Sequence, residues 1–457
     1  MNKIFDYARQ NQPLYLAQLF DFLRIPSVST QPEHDEDTRR AADWLADSMR
    51  LAGLENIRVI TTDRHPIVYG DWLHAGPDAP TVLIYGHYDV QPAEPLDKWD
   101  SPPFEPVLQD DFILARGASD DKGQLFVHLK SVEAYLQSDG QLPINVKFIV
   151  EGEEEVGSRN LHEFINQNAE FLAADSALIS DTSILAPDQP ALVYGLRGNC
   201  HILLDITGPA RDLHSGSYGG GIDNPLNALA HLIAKLKDER GHIMIPGFYD
   251  RVRPLSLEER QLLATFPLDE AAWLAETGAP AVWGEPEYAL TERISARPTL
   301  DITGMIGGYT GPGTKTILPS SAHAKISMRL VPDQDPEEIA RLFESYVEEV
   351  LPASVTVHIK RYGLAHPVLI DRDTPTMQAA SEAYEATFKR RPVFMREGGS
   401  IPVVSRFERD LGLPTILMGF GLPGDRIHSP NERFYLPNFY AGIETSIRYF
   451  DLIAHHK

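Results

Sequence analysis

Three things are scarce in this 457-residue chain: cysteine, positive charge and long apolar runs. The one cysteine, Cys200, excludes an intrachain disulfide, and we expect a reducing, cytoplasmic location. Acidic residues number 65 against 41 basic ones, and the net charge of −24 argues against nucleic acid or an anionic membrane surface as a partner. No stretch approaches the ~18 consecutive apolar residues of a membrane span, and residues 1–11 lack the apolar core of a signal peptide.

Alternating strand and helix patterns indicate an α/β domain. Short apolar runs at 81–85, 146–150, 177–179 and 415–418 are typical of buried strands, and helical patterns such as 124–136 lie between them. This order predicts a mostly parallel sheet flanked by helices.

The middle of the chain has a different pattern. Strands are predicted at 200–207, 322–331 and 355–361, and amphipathic helices at 225–236 and 336–350. We therefore expect a smaller α+β domain inserted into the catalytic domain. The predicted division is a first catalytic part, the inserted lid or dimerisation domain, and a second catalytic part: 1–194, 195–374 and 375–457.

Polar side chains follow the ends of the predicted strands of the catalytic domain. The residues that follow strands are His87 and Asp89, the run Glu151 to Glu155, Asp181 and His428. Asp120 joins them from the loop before the helix at 124–136. Ligand sites of open α/β sheets lie at the carboxyl ends of strands. We therefore expect these side chains to converge.

Two histidines and several carboxylates, with no cysteine nearby, suit Zn²⁺ or Mn²⁺. Three or more carboxylates are excessive for one ion, whereas two ions sharing a carboxylate balance the charge better. Such ions lie roughly 3.5–4 Å apart and activate a bridging water, and a free carboxylate beside it then serves as the general base.

Each of these residues also has a structural interpretation. A histidine after a strand is commonly a hydrogen-bonded loop residue, an acidic run is commonly a solvated turn, and Asp120 with Asp121 could cap the following helix. Their joint position at strand ends is what favours a site.

The motifs around these residues give the chain a family resemblance. It closely resembles the co-catalytic metallopeptidases that include carnosinases and other cytosolic dipeptidases, with aminoacylases, succinyl-diaminopimelate desuccinylases and bacterial glutamate carboxypeptidases as more distant relatives. The matching segments run in the family's order: 84–92 (IYGHYDVQP), 99–104 (WDSPPF), 116–123 (RGASDDKG), 154–158 (EEVGS), 212–216 (DLHSG), 329–332 (RLVP), 396–400 (REGGS) and 428–432 (HSPNE).

The resemblance implies two metal sites. One ion would be held by His87, Asp120 and Asp181. The other would be held by Asp120, Glu155 and His428, so that Asp120 bridges the pair. We expect two divalent ions per subunit, Zn²⁺ first, with Mn²⁺ as the alternative.

The resemblance also implies the roles of nearby acids. Glu154 would be the general base, and Asp89 would support His87. The family pattern Glu-Glu-x-Gly-Ser places Glu153 outside the site, where its replacement by glutamine should do little.

The remaining expected site residues fall in the inserted domain or in the second catalytic part. In the family, the histidine at the position of His214 reaches the active site of the other subunit, which implies a homodimer formed through the inserted domain. The positions that resemble substrate-binding residues are Thr316, Arg329, His366 and Ser400.

The expected function is metal-dependent hydrolysis of the peptide bond of dipeptides or short peptides with a free C-terminal carboxylate. An N-acyl-amino-acid amidohydrolase shares every metal residue and is the alternative, but the tracts around Trp99 and His366 favour the dipeptidase. A non-catalytic, metal-stabilised binding protein is a remote third possibility, against which Glu154 argues because a structural metal needs no general base.

Overall fold

The computed structural model describes residues 1–455 and divides into two compact units. The first unit combines Met1–Tyr194, Ile370–Met395 and the chain from Arg406 onward. The second unit combines Gly195–Leu369 with Arg396–Ser405.

This division differs from the predicted one at two places. Residues 370–374 lie in the first unit. Residues 396–405 lie in the second unit, although residues 370–395 of the first unit separate them from its main segment. The reason is visible at Arg197, whose Nε donates to the Gly398 carbonyl at 2.9 Å. Ser400 Oγ donates in turn to the Arg197 carbonyl at 2.5 Å, so this loop belongs to the second unit.

The helices and strands follow one another along the chain. The first segment contains α1 (Asn2–Gln10), α2 (Gln12–Leu23), α3 (Asp35–Ala52), β1 (Glu55–Ile60), β2 (Ile67–Trp72), β3 (Thr81–His87), β4 (Val107–Gln109), β5 (Phe112–Leu114), α4 (Lys122–Asp139), β6 (Asn145–Glu151), α5 (Arg159–Gln167), α6 (Ala169–Leu172) and β7 (Ser176–Ile179). The middle segment contains β8 (Ala191–Leu196), β9 (Gly198–Thr207), β10 (Leu213–His214), α7 (Ser215–Tyr218), α8 (Pro225–Leu236), α9 (Leu257–Leu263), α10 (Glu270–Thr277), α11 (Leu290–Ser295), β11 (Thr299–Gly307), β12 (Ile317–Leu318), β13 (Ser321–Leu330), α12 (Pro336–Val350), β14 (Thr356–Ala365) and β15 (Val368–Leu369). The last segment contains α13 (Pro375–Phe388), β16 (Val393–Glu397), α14 (Pro402–Asp410), β17 (Thr415–Leu417), β18 (Arg433–Tyr435) and α15 (Leu436–Ile453). Within residues 1–455, none of these helices combines the length and the apolar character that a bilayer crossing requires.

The main sheet of the first unit has the strand order β1-β2-β6-β3-β7-β17-β8. Pairing is parallel among β6, β3, β7 and β17. It is antiparallel between β1 and β2, β2 and β6, and β17 and β8. The predicted α/β class is thus confirmed, with parallel strands limited to the middle of a mixed sheet.

Continuous burial explains why these strands read as apolar runs. Every residue of β6 and all but the first of β3 are buried, as expected for strands covered on both faces. In the parallel register His87, the last residue of β3, lies opposite Glu151, the last residue of β6. The carboxyl ends of the middle strands therefore meet at one edge, where the polar residues begin.

The second unit is built on an antiparallel sheet with the order β11-β13-β9-β14. The burial of β9 alternates residue by residue, because one face packs on the core that α8 and α12 complete. Cys200 lies on the buried face, as a free thiol.

Candidate metal centre

Asp120 lies between two histidines in the first unit. Its Oδ1 lies 3.1 Å from His87 Nε2, and its Oδ2 lies 2.9 Å from His428 Nε2. One carboxylate thus presents each of its oxygens to a different imidazole, which is the arrangement that a bridging ligand needs.

A second carboxylate completes each side. Asp181 Oδ2 lies 4.0 Å from His87 Nε2, and Glu155 Oε2 lies 3.3 Å from His428 Nε2. Within each of the two groups, the candidate ligand atoms all lie within 4.8 Å of one another. The five residues predicted as metal ligands therefore come together in two groups of three that share Asp120.

The polar atoms of this centre fit a divalent cation better than they fit one another. His87 Nε2 and Glu155 Oε1 are buried without a hydrogen-bond partner, although Nε2 lies close to the Asp120 oxygen. A buried polar atom without a partner costs about 1–3 kcal/mol. An imidazole nitrogen and a carboxylate oxygen are ligands that Zn²⁺ accepts, so coordination would satisfy both atoms.

The pKa values indicate an excess of buried negative charge. Burial, with the nearby charges of Asp120 and Asp121, raises the pKa of Asp181 well above its ordinary value. Burial also raises the pKa of Glu155. Hydrogen bonds to Asp120 and Glu155 raise the pKa of His428 to about 10. In this centre, both the carboxylates and the imidazole favour their protonated forms because negative charge is concentrated there. Divalent cations would stabilise that charge in place of the protons.

Asp89 connects the two halves of the site. Oδ1 of its carboxylate lies 3.4 Å from His87 Nδ1, and the backbone carbonyl of Asp89 lies 3.1 Å from the same nitrogen. Its two oxygens also accept the backbone N–H groups of Glu154 and Glu155, both at 3.2 Å. Asp89 is fully buried. It therefore orients the imidazole of His87 and fixes the loop that carries both glutamates.

Glu154 begins the short 3-10 turn Glu154–Val156 that follows β6. Burial, opposed by the charge of His87 and assisted by that of Glu155, raises its pKa to about 8. Its carboxylate belongs to neither group of candidate ligands. A carboxylate beside a metal centre but outside its ligand set is placed as a general base needs to be.

Glu153 has a structural role that the sequence did not reveal. Its side chain is buried, and it accepts the backbone N–H of His65 at 2.9 Å and the side-chain amide of Asn160 at 2.7 Å. The carboxylate thus ties the glutamate turn to two other segments. Glu153→Gln removes the charge from these contacts. The expectation that this replacement does little therefore concerns catalysis and not the attachment of the turn.

Glu432 is the main positioning residue that sequence reasoning missed. It is fully buried, and its carboxylate accepts the backbone N–H groups of Gly117, Ser119 and Asp120 at 3.0–3.1 Å and a guanidinium N–H of Arg116 at 2.8 Å. It therefore holds the loop that presents Asp120. Its donors lie more than 300 residues away in the chain, so no local pattern marked this role.

The second unit brings two of its predicted site residues together on a small sheet. His214 ends β10, which pairs with β12, and the N–H of Ser215 donates to the Thr316 carbonyl at 3.0 Å. The Gly216 N–H donates to His214 Nδ1 at 3.1 Å. In the neutral imidazole this leaves the proton on Nε2, for which residues 1–455 supply no acceptor.

The other three predicted residues of this unit lie near one end of its main sheet. Asn199 of β9 pairs with Arg329 on one side and with Ala365, the neighbour of His366, on the other. Arg329 Nη1 donates to Ser400 Oγ at 2.9 Å. The roles of these residues, and of those in the first unit, stay predictions.

The sheet and the paired histidine–carboxylate groups at its carboxyl edge define the architecture of a metal-dependent hydrolase. A model of peptidase family M20/M25/M40 matches residues 83–451, and the chain belongs to this family of metallopeptidases.

Similar proteins agree with this assignment. The Cys-Gly metallodipeptidase DUG1 of Candida albicans is 31% identical over 97% of this chain and 96% of its own length. The human Beta-Ala-His dipeptidase is 30% identical over 98% of this chain and 92% of its own length.

Among solved structures, an M20 family metallo-carboxypeptidase from Sulfolobus solfataricus has a TM-score of 0.87 at 31% identity, covering 96% of this chain and 99% of its own. Human carnosine dipeptidase 1 has a TM-score of 0.84 at 28% identity, covering 99% and 98%.

Proposed function

We propose that this chain is a dipeptidase that hydrolyses the peptide bond of dipeptides or short peptides with a free C-terminal carboxylate. The observation that carries the proposal is the pair of ligand groups sharing Asp120, next to a carboxylate that belongs to neither group. The relatives support the substrate class, because two proteins that match this chain over nearly their whole length are named as dipeptidases. None of the relatives named above is an N-acyl-amino-acid amidohydrolase, so that alternative is not favoured.

Two divalent ions per subunit, with Zn²⁺ first and Mn²⁺ second, would be held by the five ligand residues already described. When bound, such ions supply Lewis-acid polarisation of the peptide carbonyl and lower the pKa of the attacking water. Every other step falls to side chains. Glu154 accepts the proton of the water and, being a carboxylic acid afterwards, donates it to the leaving amine. Asp89 accepts the backbone N–H of Glu154 and lies beside His87 Nδ1, so it would hold both residues in position for this transfer.

The second unit would supply substrate recognition and assembly. We place Thr316, Arg329, His366 and Ser400 at the substrate and propose a homodimer formed through this unit. His214 would act in the active site of the partner subunit, where its Nε2–H donates to the oxyanion that forms when water attacks the carbonyl. The single cysteine is consistent with a cytoplasmic location.

A substrate panel tests the proposed reaction. We expect the metal-loaded protein to release amine from dipeptides with free C-terminal carboxylates, and chelation to abolish this release, with recovery on adding Zn²⁺ or Mn²⁺. The matched arm is a panel of N-acyl amino acids that present the same carboxylate. Faster turnover of the N-acyl compounds than of every dipeptide would reject the dipeptidase in favour of the amidohydrolase.

A further inference from the structure

The loop that presents His428 to the metal centre has a strained backbone. It joins β17 to β18, and three of its residues, Arg426, His428 and Asn431, have φ values of 56°, 59° and 64°. Residues with a side chain rarely adopt this left-handed region and stay in it only where other contacts hold them. His428 is also the exposed histidine of the centre, with 52% of its side chain accessible against none of His87. The contacts that hold this loop therefore decide where one ligand lies.

Asp425 lies at the base of the loop. Its backbone carbonyl accepts the N–H of Arg433 at 2.9 Å, so the two ends of residues 425–433, which we call the His428 segment, are joined. The side chain of Asp425 is buried, and its Oδ2 accepts the N–H of Leu422 at 2.7 Å. The carboxylate thus fixes the chain where it enters the His428 segment.

The same carboxylate reaches the loop of the shared ligand. Oδ2 of Asp425 accepts the hydroxyl of Ser119 at 2.9 Å, and Ser119 is buried and precedes Asp120. Glu432, on the other side of His428, accepts the backbone N–H groups of both Ser119 and Asp120. The His428 segment is therefore attached to the Asp120 loop at two points, one before and one after the histidine.

The two attachments have different consequences for the two ligand groups. Glu432 holds the backbone of Asp120 itself, and Asp120 belongs to both groups. Asp425 bonds to the hydroxyl of the preceding residue, so its removal leaves the backbone of Asp120 in place and frees the side of His428. His428 belongs to one group, with Asp120 and Glu155, which we call the outer group. The inner group consists of His87, Asp120 and Asp181.

We propose that Asp425 is a positioning residue for the outer group and that, through Ser119, it sets the affinity for one of the two ions. The inference rests on the pair of ions in the proposed function. Removing either partner of the hydrogen bond lets the strained segment relax and moves His428 away from Asp120, whose Oδ2 now lies 2.9 Å from the imidazole. The inner group keeps its ligands and the contact with Glu432 that holds Asp120.

The test is titration of the metal-free protein with Zn²⁺ in competition with a chromophoric chelator, which resolves two ions by their affinities. His428→Ala identifies the ion of the outer group, because it removes a ligand of that group alone. In Ser119→Ala and in Asp425→Ala we expect the affinity for this same ion to fall about 10–100-fold, the usual effect of losing a partner outside a ligand set, and the affinity for the other ion to change less than about 3-fold.

Two further variants separate positioning from stability. Oδ1 of Asp425 is buried without a hydrogen-bond partner within residues 1–455, so the amide nitrogen of Asp425→Asn can take its place while the remaining oxygen keeps both contacts. This variant should therefore retain more of the affinity than Asp425→Ala. Ser131→Ala is the matched control, because it removes another buried serine hydroxyl, one that donates to the carbonyls of Val127 and Ile443 and joins α4 to α15. It should leave both affinities unchanged.

Equal losses for the two ions in Asp425→Ala would show a merely structural role and overturn the inference, as would weakening of the ion that His428→Ala leaves in place. Two ions in the wild type, with both affinities kept in Ser119→Ala and Asp425→Ala, would reject the inference alone. A wild-type protein that binds a single Zn²⁺ ion would reject the proposed pair of ions and this inference together. The titration needs no substrate, so its result stands whether or not the protein hydrolyses a dipeptide.

Discussion

Glu154→Gln should retain its full metal content and lose more than the roughly 10²–10⁴-fold in kcat that a general base alone is worth, because Glu154 also carries the proton to the leaving amine. The reason is the position of Glu154. It lies in the same turn as Glu155, and the backbone of both is fixed by Asp89, but its carboxylate is in neither ligand group. Glutamine has nearly the same shape and cannot take a proton. Metal analysis of the purified variant and steady-state kinetics on a dipeptide measure the two effects separately.

Glu155→Gln is the matched variant, one residue away and with the same chemical change. Since its Oε2 lies 3.3 Å from His428 Nε2 and also accepts an N–H of Gln91 at 2.6 Å, we expect it to weaken metal binding. The loss should exceed the ~10–100-fold in affinity that an outer partner of a metal ligand is worth. A Glu154→Gln protein that has lost its metal, together with a Glu155→Gln protein that keeps it, would mean that the two roles are reversed.

Mixing two inactive variants should restore activity. His214→Ala is expected to lose ~10²–10³-fold in rate, because one oxyanion donor is removed, and Glu154→Gln loses its general base. If His214 acts in the partner's active site, each hybrid dimer contains one site that lacks both groups and one site that is intact. We therefore expect up to about half of the wild-type activity per hybrid dimer after subunit exchange.

The control for this experiment is a mixture of Glu154→Gln with Glu155→Gln. Both residues lie on the same turn of the same subunit, so a hybrid of these two has one defect in each site and should stay inactive. Verified exchange without recovery in the His214 mixture would show that His214 acts within its own subunit or not at all. A fully active monomer by light scattering would reject the dimer directly.

The parts of the fold that the sequence predicts are those with a regular apolar pattern. The strand at 81–85 and its neighbours are buried on both faces, so their residues are apolar without interruption, and their polar successors fall at one sheet edge for a topological reason. The sharing of Asp120 by two histidines was implied by family resemblance and not by spacing, because His87 and His428 lie far apart in the chain.

Other features depend on contacts that leave no local pattern. Glu432 is one acid among 65 acidic residues, and only the fold shows that three backbone N–H groups and Arg116 converge on it. The segment 396–405 was assigned to the catalytic part because strand and helix patterns resume before it, whereas two hydrogen bonds to Arg197 place it with the second unit. The motif separates the expected roles of Glu153 and Glu154, but the hydrogen bonds that tie Glu153 to His65 and Asn160 are visible only in the fold.

The number of metal ions per active chain tests the central claim most directly. We expect elemental analysis of purified, fully active protein to give two divalent ions per chain, because Asp120 presents one oxygen to each histidine. Asp120→Asn should lose the bridging charge, at least one ion and the hydrolysis of dipeptides. A single ion per chain at full activity, or an Asp120→Asn protein that keeps two ions and full activity, would contradict the shared-carboxylate site.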